Sequence, residues 1–155
     1  MNLPAGEPRQ APPWWRDGEG EDRPLRLLIA DDEPLIREAL TDLFDGEDSL
    51  ELVAVAADAD QAIELAGRTL PDVALLDVKM PGGGGPRAAR EIRALSPHTR
   101  IVALSAHEDR ASVLEMLRAG VAAYVVKGAP AAEIVAAVRR SNSPTRFAPP
   151  ATRST

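Results

Sequence analysis

Short apolar runs alternate with longer amphipathic stretches five times along the middle of the chain. The runs are rich in Val, Leu, Ile and Ala and occupy residues 25–30, 50–56, 73–76, 101–104 and 122–126. This composition is typical of buried strands, whereas the intervening stretches repeat apolar residues at the spacing of a helix. The pattern predicts a (βα)5 fold, in which right-handed crossovers give a parallel sheet covered by helices on both faces. Glu51 places a charge in the second run and marks it as an edge strand.

Glycine and proline predict where several helices begin and end. Gly67, Pro97 and Gly120 follow three of the amphipathic stretches and are expected to mark helix ends. Pro34 and Pro130 stand where the first turn of a helix accepts proline.

Proline also predicts the domain boundaries. Five of the 14 prolines precede residue 25 and three follow residue 140. This density opposes regular structure, so we expect one domain at 25–140, a proline-rich tail at 1–24, and a tail or the start of a linker at 141–155. Trp14 and Trp15, the only tryptophans, fall in the leading tail, either as part of a plain tail or as an apolar pair that docks elsewhere.

Charge and composition exclude several classes of protein. The formal net charge of −6 falls entirely on residues 25–140, which argues against direct nucleic-acid binding. The only basic cluster, Arg87, Arg90, Arg93 and Arg100, fits a solvated face better than a phosphate site. No apolar run is long enough for a membrane span or a secretory signal, so a cytoplasmic, membrane-free location is expected.

The ends of the predicted strands carry the candidate chemistry. Asp31, Asp32 and Glu33 follow the first strand, and Asp77, Ser105 and Lys127 follow the third, fourth and fifth. Functional crevices of such sheets lie beyond the carboxyl ends of the strands, so these side chains should converge. With no cysteine and two histidines, any metal must be held by oxygen, and a cluster of carboxylates suits Mg²⁺.

Each of these residues also has a plainer explanation. Asp31 or Asp32 is able to cap the helix that begins near Pro34. Asp77 would then only open a turn, and Ser105 would cap the next helix. Compatible chemistry at four strand ends favours a functional site over four separate coincidences.

Four motifs at these strand ends resemble the response-regulator receiver domain of two-component signalling. They are LLIADDE at 27–33, LLDVKMP at 75–81, VALSA at 102–106 and YVVKG at 124–128. The resemblance spans residues 25–140 and implies the CheY-like strand order 2-1-3-4-5. It further implies that Asp77 accepts a phosphoryl group from a sensor histidine kinase or a histidine phosphotransfer protein.

The resemblance assigns the metal and the counter-charge. Asp32, Asp77 and the backbone carbonyl of Lys79 are expected to bind Mg²⁺ directly, and Asp31 mainly through water. Lys127 is expected to contact the phosphoryl group.

The resemblance also implies a switch. Ser105 is expected to reorient toward the phosphoryl group, and Tyr124, the only tyrosine, to turn inward and alter a protein-binding face. Lys79 and His107 occupy the two variable positions that tune the lifetime of the phosphoryl group. The chain is then a stoichiometric phosphoacceptor, not an enzyme, with at most weak self-phosphorylation from small donors and autodephosphorylation.

Other functions share parts of this pattern. A flavodoxin-type carrier needs a phosphate-binding loop after the first strand, where this chain has acids. A haloacid-dehalogenase-type phosphatase places its nucleophile on the first strand, with a second Asp two residues later. A degenerate receiver that binds proteins without phosphorylation remains the alternative, which intact Asp77, Ser105 and Lys127 disfavour. Output is expected through a downstream protein partner, a missing output domain or a homodimer.

Overall fold

A computed structural model describes residues 23–106 and 110–142 of the chain. Five strands alternate with five helices along the described residues. The strands are β1 (Leu25–Ala30), β2 (Leu50–Ala56), β3 (Val73–Asp77), β4 (Arg100–Ser105) and β5 (Ala123–Val126). The helices are α1 (Pro34–Asp45), α2 (Ala59–Thr69), α3 (Gly84–Leu95), α4 (Arg110–Arg118) and α5 (Ala131–Ser141). The predicted (βα)5 fold is confirmed.

The strands form one parallel sheet in the order β2-β1-β3-β4-β5. Glu51 is exposed on β2, which lies at an edge as expected. All five residues of β3 are buried, and five of six in β4, because these strands lie inside the sheet and are covered on both faces.

Two apolar cores lie on opposite faces of the sheet. One joins the sheet to α2, α3 and α4 and includes many alanines, among them Ala62, Ala66 and Ala88. The other joins it to α1 and α5 and contains Phe44, Ile134 and Val138. No helix among the described residues is long and apolar enough to cross a membrane.

The helix boundaries match the proline and glycine signals with one exception. Pro34 opens α1, and Pro130 is the N-cap of α5. Gly120 follows α4 with a φ of 86°. The expectation for Gly67 is wrong, because α2 continues to Thr69 and has Leu70, whose φ is 48°, as its C-cap. One glycine destabilises a helix by only about 1 kcal/mol relative to alanine, which the burial of one face of α2 outweighs.

Candidate functional site

The chemistry-bearing residues predicted from the strand ends lie together at one edge of the sheet. Asp31 follows β1, and Asp77 and Ser105 end β3 and β4. Lys127 follows β5, and its backbone N–H donates to the Ser105 carbonyl at 2.7 Å. A cavity of about 250 Å³ at this edge is lined by Asp32, Glu33, Asp77, Val78, Lys79, Ser105, Ala106 and Lys127. The predicted convergence is therefore present in the structure.

Three carboxylates form the acidic part of this site. Asp31, Asp32 and Asp77 each place one oxygen within 4.8 Å of the others. Asp31 is completely buried, Asp77 is 4% exposed, and Asp32 is exposed at the mouth of the cavity. The site combines two anions held away from bulk water with a third that is hydrated.

Local hydrogen bonds fix Asp31 at the start of α1. Its Oδ1 accepts the Glu33 backbone N–H at 2.9 Å, and its carbonyl accepts Arg37 Nη1 at 2.8 Å. The N-cap of α1 is Glu33, which makes no side-chain capping bond. Neither Asp31 nor Asp32 therefore caps this helix, and the buried carboxylate of Asp31 remains part of the cluster.

Lys127 supplies the positive charge that balances the acids. Its Nζ lies 2.8 Å from Asp31 Oδ2, 3.1 Å from Glu33 Oε1 and 3.3 Å from Asp77 Oδ2. Burial lowers the pKa of Lys127, but the close contacts with Asp31 and Glu33 and the negative charges of Asp77 and Asp31 outweigh this effect and raise the pKa above its ordinary value. The ammonium therefore stays charged.

Asp77 is held at the end of β3 by its neighbours in sequence and in the sheet. The Lys79 N–H donates to Asp77 Oδ1 at 3.3 Å, and the Val78 N–H donates to the Leu104 carbonyl at 2.9 Å. Burial, followed by the charge of Asp31, raises the pKa of Asp77 from 3.8 to about 7, against the opposing effect of Lys127. The carboxylate is thus strained electrostatically when the site holds no further cation.

This raised pKa predicts how the stability of the metal-free protein depends on pH. Between the ordinary and the raised pKa, folded Asp77 holds a proton that the unfolded chain has lost, so this contribution to stability decreases as the pH rises toward about 7. Thermal unfolding with chelator should show Asp77→Asn gaining about 2–3 kcal/mol in stability over wild type as the pH rises from about 5 to about 8. Parallel curves for the two proteins across this range would contradict the raised pKa.

The loop after β3 and the first turn of α3 require their glycines for geometric reasons. Gly82, Gly83 and Gly84 have positive φ, a region that side chains disfavour. A Cβ on Gly85 would lie 2.8 Å from the Asp77 carbonyl oxygen. Arg87 holds this loop, with Nη1 at 2.7 Å from both the Gly82 carbonyl and Asp60 Oδ1. From the sequence, this arginine was expected only to lie on a solvated face.

Ser105 and Tyr124 lie on adjacent strands. Ser105 is buried in the cavity wall, and β4 pairs with β5 through Ala103 with Tyr124 and Ser105 with Val126. Tyr124 is half-buried and packs against the core formed with α2, α3 and α4. Its hydroxyl is buried and has no hydrogen-bond partner within residues 23–106 and 110–142.

Of the other residues singled out from the sequence, Lys79 lies at the site, and three lie outside the described residues. Lys79 is exposed, and it lines the cavity beside Asp77. His107, Trp14 and Trp15 lie outside the described residues. Glu33 was recognised only as a third acid, and its contact with Lys127 was not anticipated because the two residues are far apart in sequence.

The donor set fits a hard divalent cation. All three clustered ligands are carboxylates, two of them buried, and the cavity beside them is open to solvent. Magnesium prefers one or two carboxylates together with water and carbonyl oxygens. Nothing in the cluster would favour a softer metal.

Comparisons with known proteins agree with this geometry. Residues 27–139 match the family model of the response regulator receiver domain. The chain is 37% identical over 115 residues to the response regulator GacA of Pseudomonas viridiflava, covering 74% of this chain and 54% of that protein. It is 39% identical over 114 residues to the regulator NarL of Mycobacterium tuberculosis, covering 74% and 53% respectively. The chain thus spans about half the length of these relatives.

Solved structures give the same result. The signal receiver domain of NarL from Mycobacterium tuberculosis superposes with a TM-score of 0.72 at 37% identity, covering 76% of this chain and 95% of that one. The receiver domain of CheB from Thermotoga maritima gives a TM-score of 0.71 at 28% identity, covering 77% and 97%. The chain belongs to the response regulator receiver domain family of two-component systems.

Proposed function

We propose that Asp77 accepts a phosphoryl group from a sensor histidine kinase or a histidine phosphotransfer protein. The observation that carries this proposal is a buried carboxylate at a strand end, 3.3 Å from a half-buried ammonium and open to a cavity. One Asp77 oxygen attacks phosphorus as the bond from phosphorus to the donor's imidazole nitrogen breaks, and the freed imidazole keeps the bonding electron pair and takes up a proton. The protein acts as a stoichiometric acceptor, with weak self-phosphorylation and autodephosphorylation.

Electrostatic screening is the main task of the site, because both the carboxylate and the phosphoryl donor are anionic. Lys127 holds a positive charge beside Asp77 and lies on the wall of the cavity that the phosphoryl group would enter. Interactions of this kind position the reacting oxygens and stabilise charge during transfer. Lys127 thus contacts the phosphoryl group after transfer.

Mg²⁺, the ion typical of this family, fits the acidic cluster. Asp32, Asp77 and the Lys79 carbonyl would hold it directly, and Asp31 through water. When bound, the ion supplies charge neutralisation and alignment of the phosphoryl oxygens.

Ser105 and Tyr124 are proposed to report the modification to a protein-binding face. A phosphorylated Asp77 offers new acceptor oxygens, and Ser105 is the hydroxyl in the cavity wall that can donate to them. Tyr124 lies on the neighbouring strand, and its buried hydroxyl has no hydrogen-bond partner in the part of the chain that the structure describes, so a shift of Ser105 would change the surroundings of its ring. Lys79 and His107 are proposed to tune the phosphoryl lifetime.

The output is proposed to be a protein partner, a further domain or a homodimer. The receiver unit is proposed to span residues 25–140, with 1–24 as a tail and 141–155 as a tail or the start of a linker. We place this exchange in the cytoplasm. A phosphorylation-independent binding module is less well supported, because it does not require the contact of Lys127 with both Asp31 and Asp77.

Incubation with acetyl phosphate and Mg²⁺, followed by intact mass measurement, tests the proposal. We expect one phosphoryl adduct that is lost in Asp77→Asn and absent with chelator. Asp72→Asn, an acid at the opposite end of β3, is the matched control and should label like wild type. An adduct that persists in Asp77→Asn would contradict the assignment.

Titration with Mg²⁺ tests the metal ligands separately. Asp32→Ala removes the hydrated carboxylate and should weaken Mg²⁺ binding about tenfold or more, while leaving the buried acids in place. Changes in the emission of a dye or in amide chemical shifts would give the affinity. Equal affinities for wild type and Asp32→Ala would exclude Asp32 as a ligand.

A further inference from the structure

Glu33 makes a contact with Lys127 that the proposed chemistry does not use. Lys127 has three N–H donors, and three carboxylates surround its Nζ, those of Asp31, Glu33 and Asp77. Nζ hydrogen-bonds Glu33 and Asp77 and forms an ion pair with Asp31, so an incoming phosphoryl oxygen competes with these carboxylates for the ammonium. Asp31 is completely buried and Asp77 is the acceptor, whereas the Glu33 side chain is 60% exposed and can be hydrated when it leaves.

The backbone directs Glu33 toward Lys127. Its N–H donates to Asp31 Oδ1, and the following Pro34 restricts it to the extended conformation, with φ −94° and ψ 117°. Glu33 occupies the N-cap position of α1 without making a side-chain capping bond. Its carboxylate instead accepts a hydrogen bond from Lys127, 94 residues away in sequence.

The position of this carboxylate matters for an anionic donor. The two distances through Nζ place Glu33 Oε1 within about 6.4 Å of Asp77 Oδ2. At this separation a negative charge repels an arriving phosphoryl group while it also occupies the ammonium that should attract that group. Both effects slow phosphoryl transfer to Asp77.

We propose that Glu33 is a positioning residue that competes with the phosphoryl group for the Lys127 ammonium and slows phosphoryl transfer to Asp77. This inference rests on the proposed function. It predicts that the rate of phosphoryl transfer depends partly on release of Lys127 from Glu33, so Glu33 tunes how readily Asp77 is phosphorylated.

The test compares initial rates of adduct formation with acetyl phosphate and Mg²⁺ in the full chain. Glu33→Gln should react about 3- to 10-fold faster than wild type at low donor concentration, through a lower half-saturating concentration. The ratio of the Glu33→Gln rate to the wild-type rate should fall toward one at about 1 M KCl, because salt screens an exposed charge. Glu33→Asp, which keeps the charge but is too short for the same contact, should fall between the two. Glu38→Gln, at an exposed acid further along α1, is the matched control and should match wild type.

The outcomes separate this inference from the proposed function. If wild type is labelled at Asp77 and Glu33→Gln is no faster, Glu33 does not compete for Lys127. A gain that salt leaves unchanged, or a Glu33→Asp rate below wild type, would also overturn the inference. If wild type forms no adduct at all, the proposed function fails and this inference fails with it.

Discussion

Replacing Lys127 with methionine should lower the free energy of unfolding of the metal-free protein by about 3–5 kcal/mol. The Lys127 side chain is 12% exposed and lies within 3.3 Å of carboxylate oxygens from Asp31, Glu33 and Asp77. Its removal leaves Asp31 and Asp77 buried without their cation, which is far more costly than loss of a surface ion pair. Thermal unfolding with chelator should show a midpoint lower by about 10 °C or more.

Two further proteins show whether the loss comes from the uncompensated acids. Arg118→Met removes an exposed cation at the end of α4 and should change stability by no more than about 0.5 kcal/mol. Adding Asp77→Asn to Lys127→Met should recover part of the loss, because one of the two buried anions is then neutral. A Lys127→Met protein as stable as Arg118→Met would show that the ammonium does not balance the buried carboxylates.

Gly85→Ala should destabilise the domain by about 2–3 kcal/mol and slow phosphoryl acceptance about tenfold or more. The added Cβ would lie 2.8 Å from the Asp77 carbonyl oxygen, 3.0 Å from Val78 Cα and 3.2 Å from Met116 Sδ. Two of these neighbours are backbone atoms of the strand end that carries the acceptor, so relief of the overlap must displace Asp77. Chemical denaturation and the acetyl phosphate assay measure the two effects.

Gly128→Ala is the matched control for stability. It lies in the loop that follows β5, and an added Cβ would meet no atom within 4 Å. Its stability should agree with wild type to about 0.5 kcal/mol. If Gly85→Ala and Gly128→Ala are equally stable, the first turn of α3 tolerates a side chain at position 85 and the close approach to Asp77 is not a structural requirement.

The strands and the convergence of the site were predictable because both depend on local patterns. Apolar runs at 73–76 and 101–104 mark strands buried on both faces, and a parallel sheet places their carboxyl ends side by side. Asp77, Ser105 and Lys127 are therefore located by their position immediately after such runs. Their burial and distances depend on packing between strands, which the sequence does not give.

The features that sequence analysis did not anticipate arise from contacts between distant residues. Gly67 was expected to end a helix because glycine is a poor helix former, but α2 packs its buried alanines on the sheet and continues to Thr69. The contact of Glu33 with Lys127 and that of Arg87 with Asp60 join separate elements. The requirement for glycine at position 85 comes from the backbone of Asp77, which lies eight residues earlier in the sequence.

The most direct test of the central claim is to locate the modified residue in the wild-type chain. After incubation with acetyl phosphate and Mg²⁺, borohydride reduction converts an aspartyl phosphate to homoserine, and peptide mass spectrometry identifies its position. We predict homoserine at residue 77 alone, and none when chelator is present during the incubation. Reduction at another acid, or an adduct that borohydride leaves intact, would contradict the assignment of Asp77 as the phosphoryl acceptor.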